Sequence, residues 1–134
     1  MATSNIKYVG DLRTVCIHLQ SGTEIITDAP TDNHGKGEAF SPTDLVATAL
    51  GSCMVSIMGI KSKDLNVDLK DSTVSITKIM QAEPRKIAKI EVILNMSIET
   101  SEKNKTILER AAMTCPVLLS LHPDIEKDVV FNWK

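Results

Sequence analysis

One apolar stretch near the middle of the chain constrains the fold more than any other feature. The segment SPTDLVATALGSCMVSIMGI begins at Ser41, and it carries no charged side chain from Leu45 to Ile60. Ser41 is a good helix N-cap, Pro42 suits the first helical position, and Asp44 stands where an acidic capping-box residue reaches back. The sequence therefore predicts a long helix that is apolar on nearly every side and is enclosed by the rest of the fold.

Strand-like patterns precede this helix. The segment RTVCIHLQ alternates with a period of two, which places Arg13, Val15, Ile17 and Leu19 on one inward face and Cys16 on the other. A turn at Ser21-Gly22 then leads to a short strand over residues 24–27. The following segment, DAPTDNHGKGEAF, is rich in Gly, Asp, Asn and Pro and is predicted to be a loop.

Two more strands and two helical segments follow the long helix. The segment STVSITKIM and the cleanly alternating segment RKIAKIEVILNMSIE predict strands that are joined by a turn at Glu83-Pro84. Ser101 is predicted to cap a second helix that stops near Thr114, because the residue before Pro116 is disfavoured in helical conformation. The inward face of the second strand is predicted to consist of Ala88, Ile90, Val92, Leu94, Met96 and Ile98.

The remaining pattern fixes the fold class. A short helical piece from Pro116 to Leu121 and a last strand in DVVFNWK close the chain. Strands that alternate with helices through antiparallel-type connections predict an α+β fold, with the long helix packed on a curved antiparallel sheet. At 134 residues, the chain is expected to form one domain over residues 1–134.

Composition excludes several classes of function. The formal net charge is −2 and the basic residues are scattered, which argues against a nucleic-acid or anionic-membrane partner. The N-terminus lacks an apolar run of signal-peptide length, and the charge-free run is shorter than the roughly 18–20 residues that a membrane span needs. We therefore expect a cytoplasmic protein with no membrane partner, a compartment in which stable disulfides are rare.

The cysteines are the candidate reactive groups. Cys16, Cys53 and Cys115 form no zinc-like spacing, and the three histidines are irregularly placed, so neither a metal nor a bound cofactor is expected. Because Pro116 suits a first helical position, Cys115 is a predicted N-cap whose sulfur meets free N–H groups that favour the thiolate. Packing alone is the alternative interpretation for each cysteine, since cysteine behaves as a small hydrophobe.

A buried cysteine needs a neighbouring cation to become reactive, because the thiolate is the nucleophile. Arg13 heads the predicted inward row of its strand and keeps its charge at any working pH, although a surface arginine at a strand start is an equal alternative. A buried arginine usually has a carboxylate partner, and Glu38 and Asp44 are the candidates. Asp44 already has a sufficient structural role in the helix cap.

These residues carry a resemblance to a known family. The segments GKGEAFSPTDLVATALGSCMVSIMGI and LERAAMTCPVLLSLHP resemble the osmotically induced protein C and organic hydroperoxide resistance proteins (OsmC/Ohr). The resemblance implies an intertwined homodimer with active sites at the subunit interface and a thiol peroxidase for organic hydroperoxides. It implies a peroxidatic role for Cys53, a resolving role for Cys115 and an active-site role for Arg13.

The expected mechanism follows from that resemblance. Cys53 attacks a hydroperoxide to give a sulfenic acid, Cys115 converts it to a disulfide, and an external dithiol such as one of the lipoyl type reduces the disulfide. Apolar neighbours of Cys53, namely Leu50, Met54 and Ile57, are expected to favour organic peroxides, since each buried methylene contributes about 0.8 kcal/mol. Cys16 is given no role.

One departure from the family pattern leaves a second hypothesis open. Hydroperoxide-resistance members carry a glutamate directly after the proline that opens the long helix, and this chain has Thr43 there. Asp44 or Glu38 is then expected to hold Arg13. The alternative is a dimeric binding module of the same fold that holds a small apolar ligand and has little or no peroxidase activity.

Overall fold

The computed structural model describes residues 1–134, and the chain forms two compact units, Met1–Val46 and Ala47–Lys134. Its elements in chain order are β1 (Ser4–Gly10), β2 (Arg13–His18), β3 (Glu24–Asp28), α1 (Pro42–Asp64), β4 (Thr73–Gln81), β5 (Lys86–Asn95), α2 (Glu102–Ala112), α3 (Pro116–Ser120) and β6 (Glu126–Asn132). The predicted α+β class is confirmed.

The strands of the first unit form one antiparallel sheet in the order β1-β2-β3. The predicted strand over residues 13–20 ends earlier, at His18, because the hairpin closes there: the Gly22 N–H donates to the His18 carbonyl at 2.7 Å. Leu19 therefore lies in the turn and is 42% exposed, so its predicted inward position is wrong. Every residue of β2 from Arg13 to Ile17 is half-buried, so this chain alone gives the strand no distinct inward row.

Helix α1 begins as predicted. The Asp44 N–H donates to Ser41 Oγ at 3.0 Å, and the Ser41 N–H donates to Asp44 Oδ2 at 3.0 Å, which is a complete capping box. The prediction that the helix is enclosed on nearly every side is wrong within this chain. One face is buried, whereas Ala49, Ser52 and Ile60 on other faces are exposed. The other faces are exposed because the β4-containing sheet packs on one face of the helix only.

Helix α1 also has the length and composition of a membrane-crossing helix, with 23 residues instead of the shorter charge-free run seen in the sequence. Length and composition alone are weak evidence, because the core helix of a soluble protein can have the same length and composition. Here Leu50, Met54 and Met58 are fully buried in the core of the second unit. The cytoplasmic location stays a prediction.

Gly51 allows α1 to approach strand β4 closely. A methyl group at this position would lie 2.7 Å from Ile76 Cδ1 and 2.9 Å from Val74 Cγ1, distances that real side chains do not tolerate. Gly59 is two turns further along the same helix, and a methyl group there would meet nothing within 4 Å. Packing therefore excludes a side chain at position 51 but not at position 59.

The second sheet has the order β4-β5-β6 and differs from the predicted antiparallel topology in one pair. Strands β4 and β5 are antiparallel, but β5 and β6 are parallel, with Val92 opposite Val129. The physical reason is the connection: α2 and α3 cross over between β5 and β6, and such a crossover brings a strand back in the same direction.

Strand β5 supplies the core of this sheet. Ile90, Val92, Leu94 and Met96 are buried as predicted. Ala88 is only half-buried, and Ile87 takes the core position instead, with 7% exposure. The shift follows from an irregularity in the ladder, where the β4–β5 register changes between Ile79 and Met80.

The helix caps after β5 agree with the sequence. Ser101 Oγ accepts the Asn104 N–H at 3.1 Å and starts α2, which ends at Ala112. Cys115 is the N-cap of α3, with Pro116 at the first helical position. These caps set the position of Cys115 at the break between the two helices.

Candidate functional site

Two cysteines of the second unit lie side by side. Cys53 is on α1 and is half-buried, and Cys115 is at the start of α3 and is fully buried. The Cys53 thiol is close enough to Cys115 to raise the pKa of its thiol. The structure therefore brings together two sulfurs that are far apart in sequence, and both are free thiols.

The environment of Cys115 keeps it protonated. Its sulfur accepts the Leu118 N–H at 3.3 Å, so the predicted N-cap role is confirmed. The predicted preference for thiolate is wrong, because burial raises the pKa of the Cys115 thiol and the neighbouring Cys53 thiol acts in the same direction. The N–H groups of Leu118 and Val117 lower this pKa but do not overcome burial. A helix as short as α3 offers few aligned dipoles.

The surroundings of Cys53 are partly closed. Leu50 and Met54, two of its expected apolar neighbours, are fully buried in the core and have no surface that a substrate could contact. Ile57, one turn after Cys53 on the same helix, is half-buried. Ile57 is therefore the one of the three whose side chain remains accessible near the thiol.

Arg13 is held by a carboxylate that the sequence reasoning missed. Arg13 Nε donates to Asp28 Oδ1 at 2.7 Å, and Arg13 Nη2 donates to Asp28 Oδ2 at 2.9 Å, which is a bidentate ion pair. The Asp28 side chain is completely buried, and that of Arg13 is 27% exposed. The hydrogen bonds from Arg13 hold the pKa of Asp28 below its ordinary value, and the same pair raises the pKa of Arg13.

The two predicted partners of Arg13 have other positions. Glu38 Oε2 lies 3.5 Å from Arg13 Nη2, and its side chain is 67% exposed, so Glu38 is a looser second partner. Its backbone N–H donates to Asp28 Oδ2 at 3.2 Å. Asp44 accepts the Ser41 N–H in the helix cap.

Asp28 was missed because its pairing with Arg13 depends on the register of the β2–β3 hairpin. It is the last residue of β3 and lies directly opposite Arg13 on β2. A two-residue turn at Ser21-Gly22 would instead pair Arg13 with Pro30, and Asp28 then falls in the predicted loop. The true closure at His18 shifts the register and puts the two charges face to face.

The arginine cluster belongs to the unit Met1–Val46 and the thiol pair to the unit Ala47–Lys134. The pairing of Arg13 with Cys53 stays a prediction. Cys16 lies on the same strand as Arg13, with its sulfur 3.7 Å from Thr14 Oγ1. No group of three or more His, Cys, Asp or Glu side chains is arranged to hold a metal ion.

Comparisons with known proteins agree on one family. The family model described as OsmC-like protein matches residues 35–129, a range that includes both clustered cysteines. A crystal structure from Psychrobacter arcticus 273-4 is 51% identical, with a TM-score of 0.95 over 98% of this chain and 96% of that one. Its name associates it with osmotic stress induction and a detoxification response. No curated protein sequence matched the chain.

More distant structures share the fold. An organic hydroperoxide resistance protein OsmC from Legionella pneumophila is 15% identical, with a TM-score of 0.75 over 98% of both chains. A Vibrio cholerae protein named for organic hydroperoxide resistance, with captopril bound in one of its active sites, is 17% identical, with a TM-score of 0.74 over 98% of this chain and 92% of that one. At these identities the likeness concerns the fold.

Proposed function

This chain belongs to the OsmC-like protein family, and on that premise we propose that it is a cysteine-dependent peroxidase that reduces organic hydroperoxides to alcohols. The single observation that carries the proposal is the pair of neighbouring free thiols, Cys53 and Cys115. Two cysteines that only filled space in the core would have no need to lie next to each other. The names of the similar Legionella and Vibrio proteins point to the same substrates.

The proposed chemistry uses both thiols in turn. The Cys53 thiolate attacks the outer oxygen of the hydroperoxide, the O–O bond breaks, and the alcohol leaves after taking up a proton. Cys53 is then a sulfenic acid. The Cys115 sulfur attacks the Cys53 sulfur, a disulfide forms and water leaves, and a dithiol supplied from outside returns both thiols.

The burial of Cys115 fits a resolving cysteine better than a peroxidatic one. Its sulfur is fully buried and its pKa is raised, so it is a poor first nucleophile for a substrate that arrives from solvent. Cys53 is half-buried and remains partly accessible. The two sulfurs are therefore suited to different steps, with Cys53 acting first.

In this proposal Arg13 supplies the positive charge that the Cys53 thiolate needs. The ion pair with Asp28 keeps the guanidinium charged, and a guanidinium binds a thiolate or a peroxide oxygen through several N–H groups. No metal or bound cofactor takes part.

We also propose that the working form is a homodimer with the site at the subunit interface. Large apolar side chains of the β1-β2-β3 sheet are unusually exposed in the single chain, among them Ile6 at 67%, Tyr8 at 63% and Ile25 at 47%. An apolar surface of this kind is typical of a protein interface. Sedimentation velocity of the purified protein tests this point, and a monomer at micromolar concentration would contradict it.

The enzymatic proposal is tested by hydroperoxide consumption. Wild type, Cys53→Ser, Cys115→Ser and the control Cys16→Ser are compared with cumene hydroperoxide and dihydrolipoamide. We expect full activity in wild type and Cys16→Ser, and no turnover in Cys53→Ser. In Cys115→Ser, dimedone should trap a sulfenic acid on Cys53, because no partner thiol resolves it.

Two outcomes would contradict this proposal. Equal peroxide consumption in wild type and Cys53→Ser would remove the thiol mechanism. No loss of thiols in wild type after a hydroperoxide pulse would favour the alternative, a dimeric module that binds a small apolar ligand. Titration of free thiols before and after the pulse distinguishes these cases.

A further inference from the structure

We propose that Asp28 is the positioning residue of the site: it fixes the orientation of the Arg13 guanidinium and takes over the role of the glutamate that is missing at position 43. This inference rests on the proposed function, because it assumes that Arg13 acts at Cys53. It adds a residue that neither the sequence pattern nor the family resemblance identifies.

The geometry of the ion pair is specific. Asp28 engages Nε and Nη2 of Arg13, which is one side of the planar guanidinium, at 2.7 and 2.9 Å. Two parallel hydrogen bonds fix both the position and the plane of the group, which a single contact does not do. The ion pair leaves the Nη1 N–H groups directed away from Asp28. These are the donors that remain for a thiolate or a peroxide oxygen.

Asp28 is itself held firmly. It is 1% exposed, its backbone N–H donates to the Phe40 carbonyl at 3.1 Å, and its Oδ2 accepts the Glu38 N–H at 3.2 Å. It also lies opposite Arg13 in the sheet ladder. One hydrogen bond at its carboxylate and one at its backbone N–H therefore give Asp28 the rigidity that a residue in this role needs.

The other carboxylates are less suited to this role. Glu38 is 67% exposed and its oxygen is 3.5 Å from Nη2, a distance beyond a normal charged hydrogen bond. Thr43, where the family pattern has glutamate, has no charge, and its hydroxyl lies 3.2 Å from Ser41 Oγ. Burial, distance and bidentate geometry all single out Asp28.

The test separates a positioning role from a purely electrostatic one. We compare Asp28→Asn, Asp28→Glu and Arg13→Lys with the exposed control Asp11→Asn and the reference variant Arg13→Ala. A misplacement of about 1 Å in a catalytic group can lower a rate by about 100-fold, so we expect losses of that order in Asp28→Asn. Asp28→Glu should not restore the rate, because its extra methylene moves the carboxylate although the charge is kept.

A second measurement reports the site without turnover. The rate of Cys53 alkylation by iodoacetamide is measured at one neutral pH, and we expect it to fall in Asp28→Asn and Arg13→Ala but not in Asp11→Asn. The Arg13 Nε–H resonance in a ¹H–¹⁵N spectrum should move in Asp28→Asn, while those of Arg85 and Arg110 stay. Overall spectra verify that each variant is folded.

The outcomes distinguish the two proposals. Wild-type rates of turnover and of Cys53 alkylation in Arg13→Ala would refute the role of Arg13 in the proposed function. A strong loss in Arg13→Ala together with wild-type behaviour in Asp28→Asn or Asp28→Glu would overturn the inference on Asp28 alone. If Asp28→Asn does not fold, Arg13→Lys provides the test, because lysine keeps the positive charge and lacks the planar guanidinium that Asp28 holds. A wild-type rate in Arg13→Lys would equally overturn the inference.

Discussion

The close approach of α1 to β4 leads to a sharp prediction on stability. Replacing Gly51 with alanine puts a methyl group 2.7 Å from Ile76 Cδ1 and 2.9 Å from Val74 Cγ1. A helix-interior Gly→Ala change by itself stabilises by roughly 0.5–1 kcal/mol. Overpacking a well-filled core costs about 1–3 kcal/mol. The clash should prevail, and we expect the free energy of unfolding to fall by about 0.5–2 kcal/mol.

Gly59→Ala is the matched control. It makes the same chemical change in the same helix, where nothing lies within 4 Å, so the propensity gain should stand alone. We expect about 0.5–1 kcal/mol of added stability. With urea slopes of about 2 kcal/mol/M, the midpoint should fall by roughly 0.3–1 M in Gly51→Ala and rise by roughly 0.3–0.5 M in Gly59→Ala. Both are measured at one protein concentration, because assembly shifts apparent stability.

A double-mutant cycle identifies the clash. Ile76→Val removes the Cδ1 atom that the new methyl group would meet, and alone it costs about 0.5–1.5 kcal/mol. Combined with Gly51→Ala it should cost about 1 kcal/mol less than the sum of the single changes. An increase in stability in Gly51→Ala equal to that in Gly59→Ala, or strict additivity with Ile76→Val, would refute the reasoning.

Two further predictions concern pH. The raised pKa of Cys115 means that its contribution to stability is complete below about pH 9 and is lost as the pH rises through the folded-state pKa. The urea midpoints measured at about pH 8 and about pH 10 should therefore differ less in Cys115→Ser than in reduced wild type. The lowered pKa of Asp28 means that its contribution is present above about pH 4 and is lost as the pH falls through its folded-state pKa. Asp28→Asn should therefore be less stable at neutral pH yet lose less stability on acidification, and parallel acid titrations of both proteins would contradict this.

Local signals predicted much of this fold. Capping at Ser41, Ser101 and Cys115 is decided by residues within one helical turn, so the sequence alone is enough to predict it. The start of α1 and the break before α3 followed directly. The buried face of β5 was predicted correctly from Ile90 to Met96, where the alternation holds, and wrongly at Ala88, where the ladder has a register irregularity.

The site depended on long-range information that sequence patterns do not carry. Asp28 lies opposite Arg13 only because of the register of the β2–β3 hairpin. If the turn were moved by one residue along the chain, Arg13 would lie opposite Pro30 instead. The protonation of Cys115 is a competition between burial and two N–H groups, and the sequence revealed the N–H groups but not the burial. The parallel pairing of β6 likewise depends on where the crossover helices pack.

The sulfur of Cys115 caps a helix and, on the proposed function, also resolves a sulfenic acid, and these two roles have different chemical requirements. Capping the first turn of α3 requires only a hydrogen-bond acceptor for the Leu118 N–H, which lies 3.3 Å from the sulfur. A serine hydroxyl would serve at least as well. Helix geometry therefore does not explain why this atom is sulfur. On the proposed function the sulfur is needed for the disulfide with Cys53, so a serine replacement should leave the fold intact and block only disulfide formation.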